Sequence, residues 1–368
     1  MITDVLVHRI SVPLVRPFVT AQRSASTHEA VIVELRDAAG RSGWGEAPCS
    51  WRVTGESPHS VTAAVDGPLA DAIRGTDIAD LPAMSEAVAS AVVRNSAAKM
   101  AVDCALHDLA AQVAGVPLAV FLGGTTDGLT RVTTDMTLSA GEQTQVAALA
   151  RGHRDAGFGT LKIKCGGAED DRSLLREVRA AVGDDVTLRV DANQGWSRDE
   201  AIDIIRTWEE DGLAIACVEQ PVAARALDDL AAVRAAVRTP ILADESVWDH
   251  WDLADVARRS AADMVNIKLA KAGGIRAAMR MAGQAREAGM GVLLGSMMES
   301  VVGIAAAASV SAALGLGEPQ DLDAGLWLAS SPVEGGARYD GDHIMLADAP
   351  GLGIAGLALG PARGTVGS

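Results

Sequence analysis

The chain has 368 residues, 49% of them hydrophobic and 22% charged, as expected for a globular protein with a large core. Its formal net charge of −16 disfavours nucleic acids and anionic membranes as partners. The four cysteines form no CxxC pair and the N-terminus lacks a signal-peptide pattern, so we expect reduced thiols and a cytoplasmic location. The apolar run 301–317 is Ala-rich and short for a bilayer, so we expect a packed helix there.

The first 125 residues are predicted to form an α+β unit. Residues 1–60 alternate apolar and polar side chains around a Gly-rich turn, which is typical of a hairpin. Residues 60–115 then show apolar residues at three- and four-residue spacing, which predicts helices. Gly115 and Pro117 are expected to end the last of these helices.

From about residue 130 short β-rich runs alternate with amphipathic Ala- and Arg-rich segments. Polar residues near the ends of these runs recur about every 24 to 28 residues, close to the length of one βα unit. We therefore predict an α/β fold, with a (β/α)8-type barrel of the (β/α)7β kind over residues 126–325, and a tail (326–368) that returns to the first unit. A doubly wound sheet is disfavoured because no G-x-G-x-x-G follows a strand. The eight predicted strands are RVTTDMTL, TLKIK, VTLRVDA, ACVEQ, ILADE, MVNIK, VLLGS and PQDLDAG.

Three carboxylates fall at the ends of successive strands, namely Asp191, Glu219 and Asp244. The carboxyl ends of barrel strands meet at one mouth, so these side chains should converge there. An all-oxygen set suits Mg²⁺, whereas zinc would favour His or Cys ligands. The pattern predicts one Mg²⁺ site.

Lysines are placed on opposite sides of this predicted metal site. Lys162 and Lys164 share one face of the second strand, and Lys268 ends the sixth strand across the ring. A charge on Lys162 disfavours a second charge on Lys164, which would let Lys164 act as a general base. Two bases beside a metal-bound carboxylate suit removal of an α-proton from one face and its return on the other, with the enediolate stabilised by the cation.

Seven short motifs are spread over the chain, namely GWGEAP, KIK, RVDANQGW, VEQP, LADES, NIKLAKAGG and GSMMES. With them the sequence resembles the muconate-lactonizing-enzyme subgroup of the enolase superfamily nearly end to end. The resemblance implies a barrel with an α+β capping domain that carries lid loops, one Mg²⁺ per subunit on Asp191, Glu219 and Asp244, and Lys164 and Lys268 as bases supported by Lys162.

Within that subgroup, the run DLDAGLWL resembles the dipeptide epimerases, in which two acids receive the substrate ammonium group. The resemblance implies epimerisation at the C-terminal residue of an L,L-dipeptide such as L-Ala-L-Glu, in a homo-oligomer. In Ala-Glu epimerases an arginine at the position of Arg23 binds the glutamate side chain, although the bulky, charged pair Trp51 and Arg52 departs from their pattern. The substrate-binding residues expected on this basis are Arg23, Thr137, Lys162, Ser296, Met298, Asp321 and Asp323.

Other functions stay open at this point. An N-succinyl- or N-acylamino acid racemase, or an o-succinylbenzoate synthase, would use the same barrel. A Schiff-base lyase would use Lys164 or Lys268 as a nucleophile, and the carboxylate trio argues against it. A binding protein without activity would need no base on either face. The Gly-rich run KAGG (271–274) lacks the spacing of a phosphate loop.

Overall fold

The structure, a computed structural model, describes residues 1–20, 24–125, 131–167 and 171–358. Arg23 lies outside the described residues. Within the first unit, three strands form an antiparallel sheet of order β1-β2-β3 that packs against helices. The elements are β1 (Ile2–Val19), β2 (Ser24–Asp37), β3 (Ser42–Pro48), α1 (Pro58–Ala64), a π-helical turn (Val65–Leu69), α2 (Ala70–Ile73), a 3₁₀ turn (Ile78–Asp80), α3 (Leu81–Ser90), α4 (Ser96–Ala114) and α5 (Leu118–Phe121).

Two glycines of the GWGE motif allow β3 to lie directly on α4. A side chain on Gly43 would meet the carbonyl oxygen of Ala105 at 2.2 Å, and one on Gly45 would meet that of Ala101 at 1.9 Å. Both distances are far below van der Waals contact, so only glycine permits this approach. The small residues of α4 complete the close packing of this first core.

The predicted α/β barrel is confirmed. Seven parallel strands follow one another in the order β5 to β11, and a helix follows each of them. The strands are β5 (Met136–Leu138), β6 (Thr160–Lys164), β7 (Thr187–Asp191), β8 (Ile215–Glu219), β9 (Ile241–Ala243), β10 (Met264–Lys268) and β11 (Gly291–Gly295). The helices are α6 (Gln143–Asp155), α7 (Asp171–Val182), α8 (Arg198–Glu210), α9 (Leu227–Ala236), α10 (His250–Arg258), α11 (Leu269–Ala272), α12 (Ile275–Glu287) and α13 (Val301–Ala313).

The first and eighth predicted strands differ from expectation. The first is split into β4 (Arg131–Thr133) and β5, because the backbone N–H of Thr134 bonds to Asp342 and that of Asp135 bonds to Gln320. The eighth forms only single bridges, Thr134 to Gln320 and Gly295 to Asp321, which still join the two ends of the seven-stranded sheet. A 3₁₀ turn (Ala324–Trp327) follows at once and leaves no room for a longer strand.

The chain after the barrel forms short strands against both parts of the molecule. β12 (Val333–Gly335) pairs with β15 (Ile354–Leu357), while β13 (Arg338–Asp340) and β14 (His343–Met345) form a sheet with β4. None of the helices that the structure describes is long and apolar enough to cross a membrane.

Glu46 joins the first unit to the barrel. Its fully buried carboxylate accepts the backbone N–H groups of Ser300 and Gly303, each at 3.0 Å, at the start of α13. His28 lies 2.7 Å away on the other side. A carboxylate at the start of a helix satisfies donors that lack a partner within the helix. We call the interface between the first unit and the barrel the seam; it contains His28, Glu46, Asp103, Glu299, Ser300 and Gly303.

Two further carboxylates on α4 bridge separate parts of the chain. Asp103 accepts the backbone N–H of Ile275 at 2.7 Å and so caps α12 of the barrel. Asp108 accepts the backbone N–H groups of Trp44 at 2.8 Å and Leu352 at 2.7 Å. Burial raises the pKa of Asp108 to about 6 in spite of these bonds.

Candidate active site

A cavity of about 260 Å³ opens at the carboxyl ends of the barrel strands, beneath the first unit. Ligand pockets commonly measure about 300 to 1,000 Å³, so this cavity suits a small substrate. Lys162, Lys164, Asp244, Lys268, Thr137, Ser296, Met298, Asp321 and Asp323, all expected site residues, line it. Its roof includes Phe18, Arg52 and Val53 from the first unit.

The three predicted metal ligands lie on neighbouring strands. Asp191 ends β7, Glu219 ends β8 and Asp244 follows β9 directly, and all three are at least 97% buried. Asp191 and Glu219 are partners in the parallel register of β7 and β8. The sheet therefore places one carboxylate at each of three adjacent strand ends.

Lys162 links two of these acids to Asp321, which lies on the eighth predicted strand. Its Nζ lies 3.1 Å from Asp191, 2.7 Å from Glu219 and 2.9 Å from Asp321. Although burial opposes its charge, these carboxylates hold the pKa of Lys162 well above its usual value. An ammonium group thus lies between two of the predicted metal ligands, where positive charge is required.

The two predicted bases lie on strands four apart in the ring, β6 and β10. Lys164 Nζ is 2.6 Å from Asp191 Oδ2, and Lys268 Nζ is 2.7 Å from Asp244 Oδ2. Burial opposes the charge on Lys268, but Asp244 raises the pKa of this lysine above its usual value. Each predicted base therefore contacts a different one of the predicted metal-ligand carboxylates, from its own side of the cavity.

The donor set fits a divalent cation. Burial and the neighbouring Asp191 raise the pKa of Glu219 to about 8, and burial and Asp244 raise that of Glu245 to about 7. Without further positive charge these two acids favour their neutral forms. With every group ionised, a mouth cluster of seven carboxylates faces five cationic groups, which leaves two negative charges for a cation to compensate. The cluster comprises Asp135, Asp191, Glu219, Asp244, Glu245, Asp321 and Asp323, with Lys162, Lys164, Arg189, Lys268 and Lys271.

A second group of acids lies where the eighth predicted strand meets the start of β5. One oxygen from each of Asp135, Asp321 and Asp323 lies within 4.8 Å of the others, and all three residues are buried. Arg189 lies 3.1 Å from Asp135, so this group already has a cationic partner besides Lys162. The group could hold a metal or an organic cation.

Asp321 and Asp323 are held in different ways. Asp321 Oδ2 accepts from Lys162 and from Asn266, at 2.9 and 3.0 Å. Asp323 Oδ2 accepts the backbone N–H of Thr137 at 2.7 Å and the indole N–H of Trp327 at 3.1 Å. These bonds fix both carboxylates by one oxygen each.

Sequence reasoning missed two buried polar residues on the sixth strand and the turn after it. Asn266 donates to Glu219 at 3.0 Å as well as to Asp321. It lies two residues before Lys268 and therefore on the same strand face, a signal that the sequence contained. Lys271 bonds to Asp244 at 2.5 Å from a position one helical turn beyond the strand, where no strand-end pattern would find it.

Comparisons with known proteins agree with this geometry. A family model described as "Mandelate racemase / muconate lactonizing enzyme, N-terminal domain" matches residues 2–123, and one described as "Enolase C-terminal domain-like" matches residues 145–356. The chain is 42% identical over 353 residues to the L-Ala-D/L-Glu epimerase of Bacillus subtilis, covering 95% of this chain and 96% of that protein.

Two solved structures are also similar. A substrate-liganded complex of the L-Ala-D/L-Glu epimerase from Bacillus subtilis superposes with a TM-score of 0.94 at 40% identity, over 97% of this chain and 99% of that one. A dipeptide epimerase from Cytophaga hutchinsonii, complexed with Mg and D-Ala-L-Val, has a TM-score of 0.91 at 35% identity, over 97% and 96% of the two chains.

Proposed function

Because the chain belongs to the enolase superfamily, in its mandelate racemase / muconate lactonizing enzyme family, we propose that it is a Mg²⁺-dependent dipeptide epimerase. The observation that carries the proposal is one small cavity that unites two opposed lysines with an acidic pair, Asp321 and Asp323. The Bacillus subtilis and Cytophaga hutchinsonii proteins, which are dipeptide epimerases by name, support the same activity. L-Ala-L-Glu is the proposed substrate type.

The metal would be held by Asp191, Glu219 and Asp244. Their all-oxygen donor set and the deficit of positive charge around them suit Mg²⁺. When bound, the cation would supply charge that stabilises the substrate carboxylate as the α-proton leaves. The Asp135 group is the weaker candidate for the metal because Arg189 already compensates Asp135.

Lys164 and Lys268 would exchange the α-proton. One lysine, neutral at the start, takes the proton to its Nζ as the Cα–H bond breaks, and the other donates a proton to the opposite face of the same carbon. Their placement on strands four apart supports this division, because it puts the two lysines on opposite sides of the cavity. Lys162 would remain charged between its carboxylates and support the negative charge of the reacting group.

Asp321 and Asp323 would receive the substrate ammonium group. Each is already fixed by one oxygen, so a second oxygen is left for the ligand. Thr137, Ser296 and Met298 line the same cavity and would contact the peptide. That Arg23 binds the acidic side chain of the substrate stays a prediction from the sequence.

The test is a set of dipeptides incubated with Mg²⁺ in D₂O and analysed by mass and by chiral separation. We expect L-Ala-L-Glu to gain deuterium at its C-terminal α-carbon and to yield L-Ala-D-Glu. N-acetylation removes the ammonium charge, a desolvated partner worth about 2 to 5 kcal/mol, and should lower kcat/KM accordingly. An N-succinyl amino acid that outperforms the free dipeptide would favour the racemase instead.

We also propose a cytoplasmic location, which the four free cysteines support. A homo-oligomeric assembly stays a prediction from the sequence.

A further inference from the structure

The run Lys-Ala-Gly-Gly (271–274) has no part in the proposed proton exchange. Lys271 lies on α11, a four-residue helix that begins directly after Lys268. Gly273 ends this helix with a φ of +90°, a conformation that favours glycine. The turn brings Lys271 back toward the strand end, so that two lysines three residues apart reach one carboxylate, that of Asp244.

The two lysines divide the oxygens of Asp244. Lys271 Nζ donates to Oδ1 at 2.5 Å, while Lys268 Nζ donates to Oδ2 at 2.7 Å. Lys271 also donates to two backbone carbonyl oxygens, that of Asp244 at 2.5 Å and that of Asn266 at 3.0 Å. An ammonium group has three N–H donors, so all three donors of Lys271 have an acceptor.

Lys268 is bound less completely. In the parts of the chain that the structure describes, its Nζ has one hydrogen-bond acceptor, Asp244 Oδ2. Lys268 can therefore turn toward a substrate by giving up one contact, whereas Lys271 would have to leave three, two of them to backbone atoms. Lys271 is also 96% buried.

We propose that Lys271 is a positioning residue that fixes Asp244 through Oδ1 and so keeps Oδ2 beside Lys268, where Asp244 would serve as a ligand of the metal. The inference rests on the proposed function, because it takes Asp244 as a metal ligand. Residues that orient a metal ligand typically change metal affinity by about 10- to 100-fold when they are removed. Without Lys271, Oδ1 of Asp244 would lose its partner and the carboxylate could rotate.

The experiment measures Mg²⁺ affinity by titration calorimetry on the full chain after removal of metal with a chelator. Lys271→Met keeps the length and apolar stem of the side chain and removes the three donors. We expect it to weaken Mg²⁺ binding by about 10- to 100-fold. The matched control is Lys99→Met. The half-buried Lys99 donates to the carbonyl oxygen of Ala89 and forms no ion pair with a site carboxylate among the residues that the structure describes. Its Mg²⁺ affinity should stay within about twofold of the wild type.

An unchanged Mg²⁺ affinity in Lys271→Met would overturn the inference, even if the melting temperature fell, because Lys271 would then serve stability alone. If that variant fails to fold, Lys271→Arg retains the charge, but its planar guanidinium cannot place donors on the same three oxygens. We expect weaker Mg²⁺ binding there too, and wild-type affinity would again overturn the inference. Wild-type protein that binds no Mg²⁺ would instead contradict the proposed function.

Discussion

The seam and the mouth of the barrel both bury carboxylates, but with different partners. At the seam, Glu46 and Asp103 accept backbone N–H groups at the starts of barrel helices. At the mouth, Asp191 and Asp244 accept mainly from lysine side chains. Backbone donors cannot leave without unfolding a helix. Lys164 and Lys268, unlike the triply bonded Lys271, lie on rotatable stems with one bond each among the described residues and can move away.

This difference indicates which acids are available for chemistry. A carboxylate held by an ammonium group can exchange that charge for a metal ion or a substrate cation at little structural cost. A carboxylate held by helix N–H groups cannot exchange those donors for a cation. Substitution of such a carboxylate should therefore lower stability and leave catalysis intact. Substitutions in the two regions should therefore have opposite effects on activity and on stability.

The largest expected effect is at the mouth. Asp191→Asn and Glu219→Gln should each lower kcat/KM by at least about 10³-fold, because a bound metal supplies several kcal/mol of charge stabilisation. Their melting temperatures should change by only a few degrees, as measured by circular dichroism. Exhaustive EDTA treatment should have the same effect on activity, and full activity after it would rule out the metal mechanism.

The next effect concerns the two bases. Lys164→Ala and Lys268→Ala should each reduce epimerisation by about 10²- to 10⁴-fold, the usual contribution of a general acid or base. Each variant should still exchange the α-proton of one epimer with D₂O, and the two should differ in which epimer they exchange. Deuterium incorporation followed by mass spectrometry checks this. Two variants that epimerise at the wild-type rate would contradict the assignment.

At the seam we expect a large effect on stability and a small effect on activity. Glu46→Ala removes one partner of a buried pair with His28 and leaves the N–H groups of Ser300 and Gly303 unpaired. We expect a loss of about 3 to 5 kcal/mol in the free energy of unfolding, measured with urea. The control is Glu29→Ala, because Glu29 is exposed and its carboxylate accepts from the side chain of Ser11. A large fall in kcat/KM of the folded Glu46→Ala protein would break the comparison.

The smallest effect tests an acid of the seam that has too few donors. Glu299 accepts one backbone N–H, that of Met297 at 2.9 Å, and its other oxygen is buried without a partner among the described residues. Burial and the nearby Glu46 raise the pKa of Glu299 to about 8 from its ordinary 4.5. Between these two values the folded state retains a proton on Glu299 that the unfolded state has lost. The stability that protonated Glu299 contributes is therefore fully present below about pH 4.5 and is lost as the pH rises through about 8.

In Glu299→Gln the side chain is neutral at every pH, so the loss of stability caused by ionisation of Glu299 should disappear. The fall in melting temperature between pH 6 and pH 9 should be a few degrees smaller than in the wild type. The exposed Glu287→Gln is the control, and its pH dependence should match the wild type. If the melting temperatures of Glu299→Gln and the wild type fall equally between pH 6 and pH 9, Glu299 is ionised over that whole range.

The strand-end pattern located much of the candidate site from the sequence. It depends only on the period of the βα units and on side-chain alternation, so it selected Asp191, Glu219, Asp244 and Lys268 without knowledge of any contact. Thr137, Ser296 and Met298 line the same cavity, but their roles stay predictions.

What the pattern missed depends on geometry beyond the strand ends. Lys271 reaches Asp244 only because α11 folds back at Gly273. The break in the first predicted strand arises from backbone bonds of Thr134 and Asp135 to residues about 200 positions away in the sequence, a long-range pairing that local propensity does not encode. The seam contacts of Glu46 are equally non-local.

The contact between Asp108 and Leu352 has a consequence for the order in which the chain folds during synthesis. The first unit leaves the ribosome well before the barrel, yet one oxygen of Asp108 has its backbone donor at Leu352. Until residues 351 and 352 emerge, α4 presents a half-satisfied carboxylate next to β3. N-terminal units commonly fold first as a chain is synthesised, but this one can complete its bonding only after the whole barrel has been synthesised. A ribosome stalled before residue 351 should therefore carry a first unit that a protease cleaves readily.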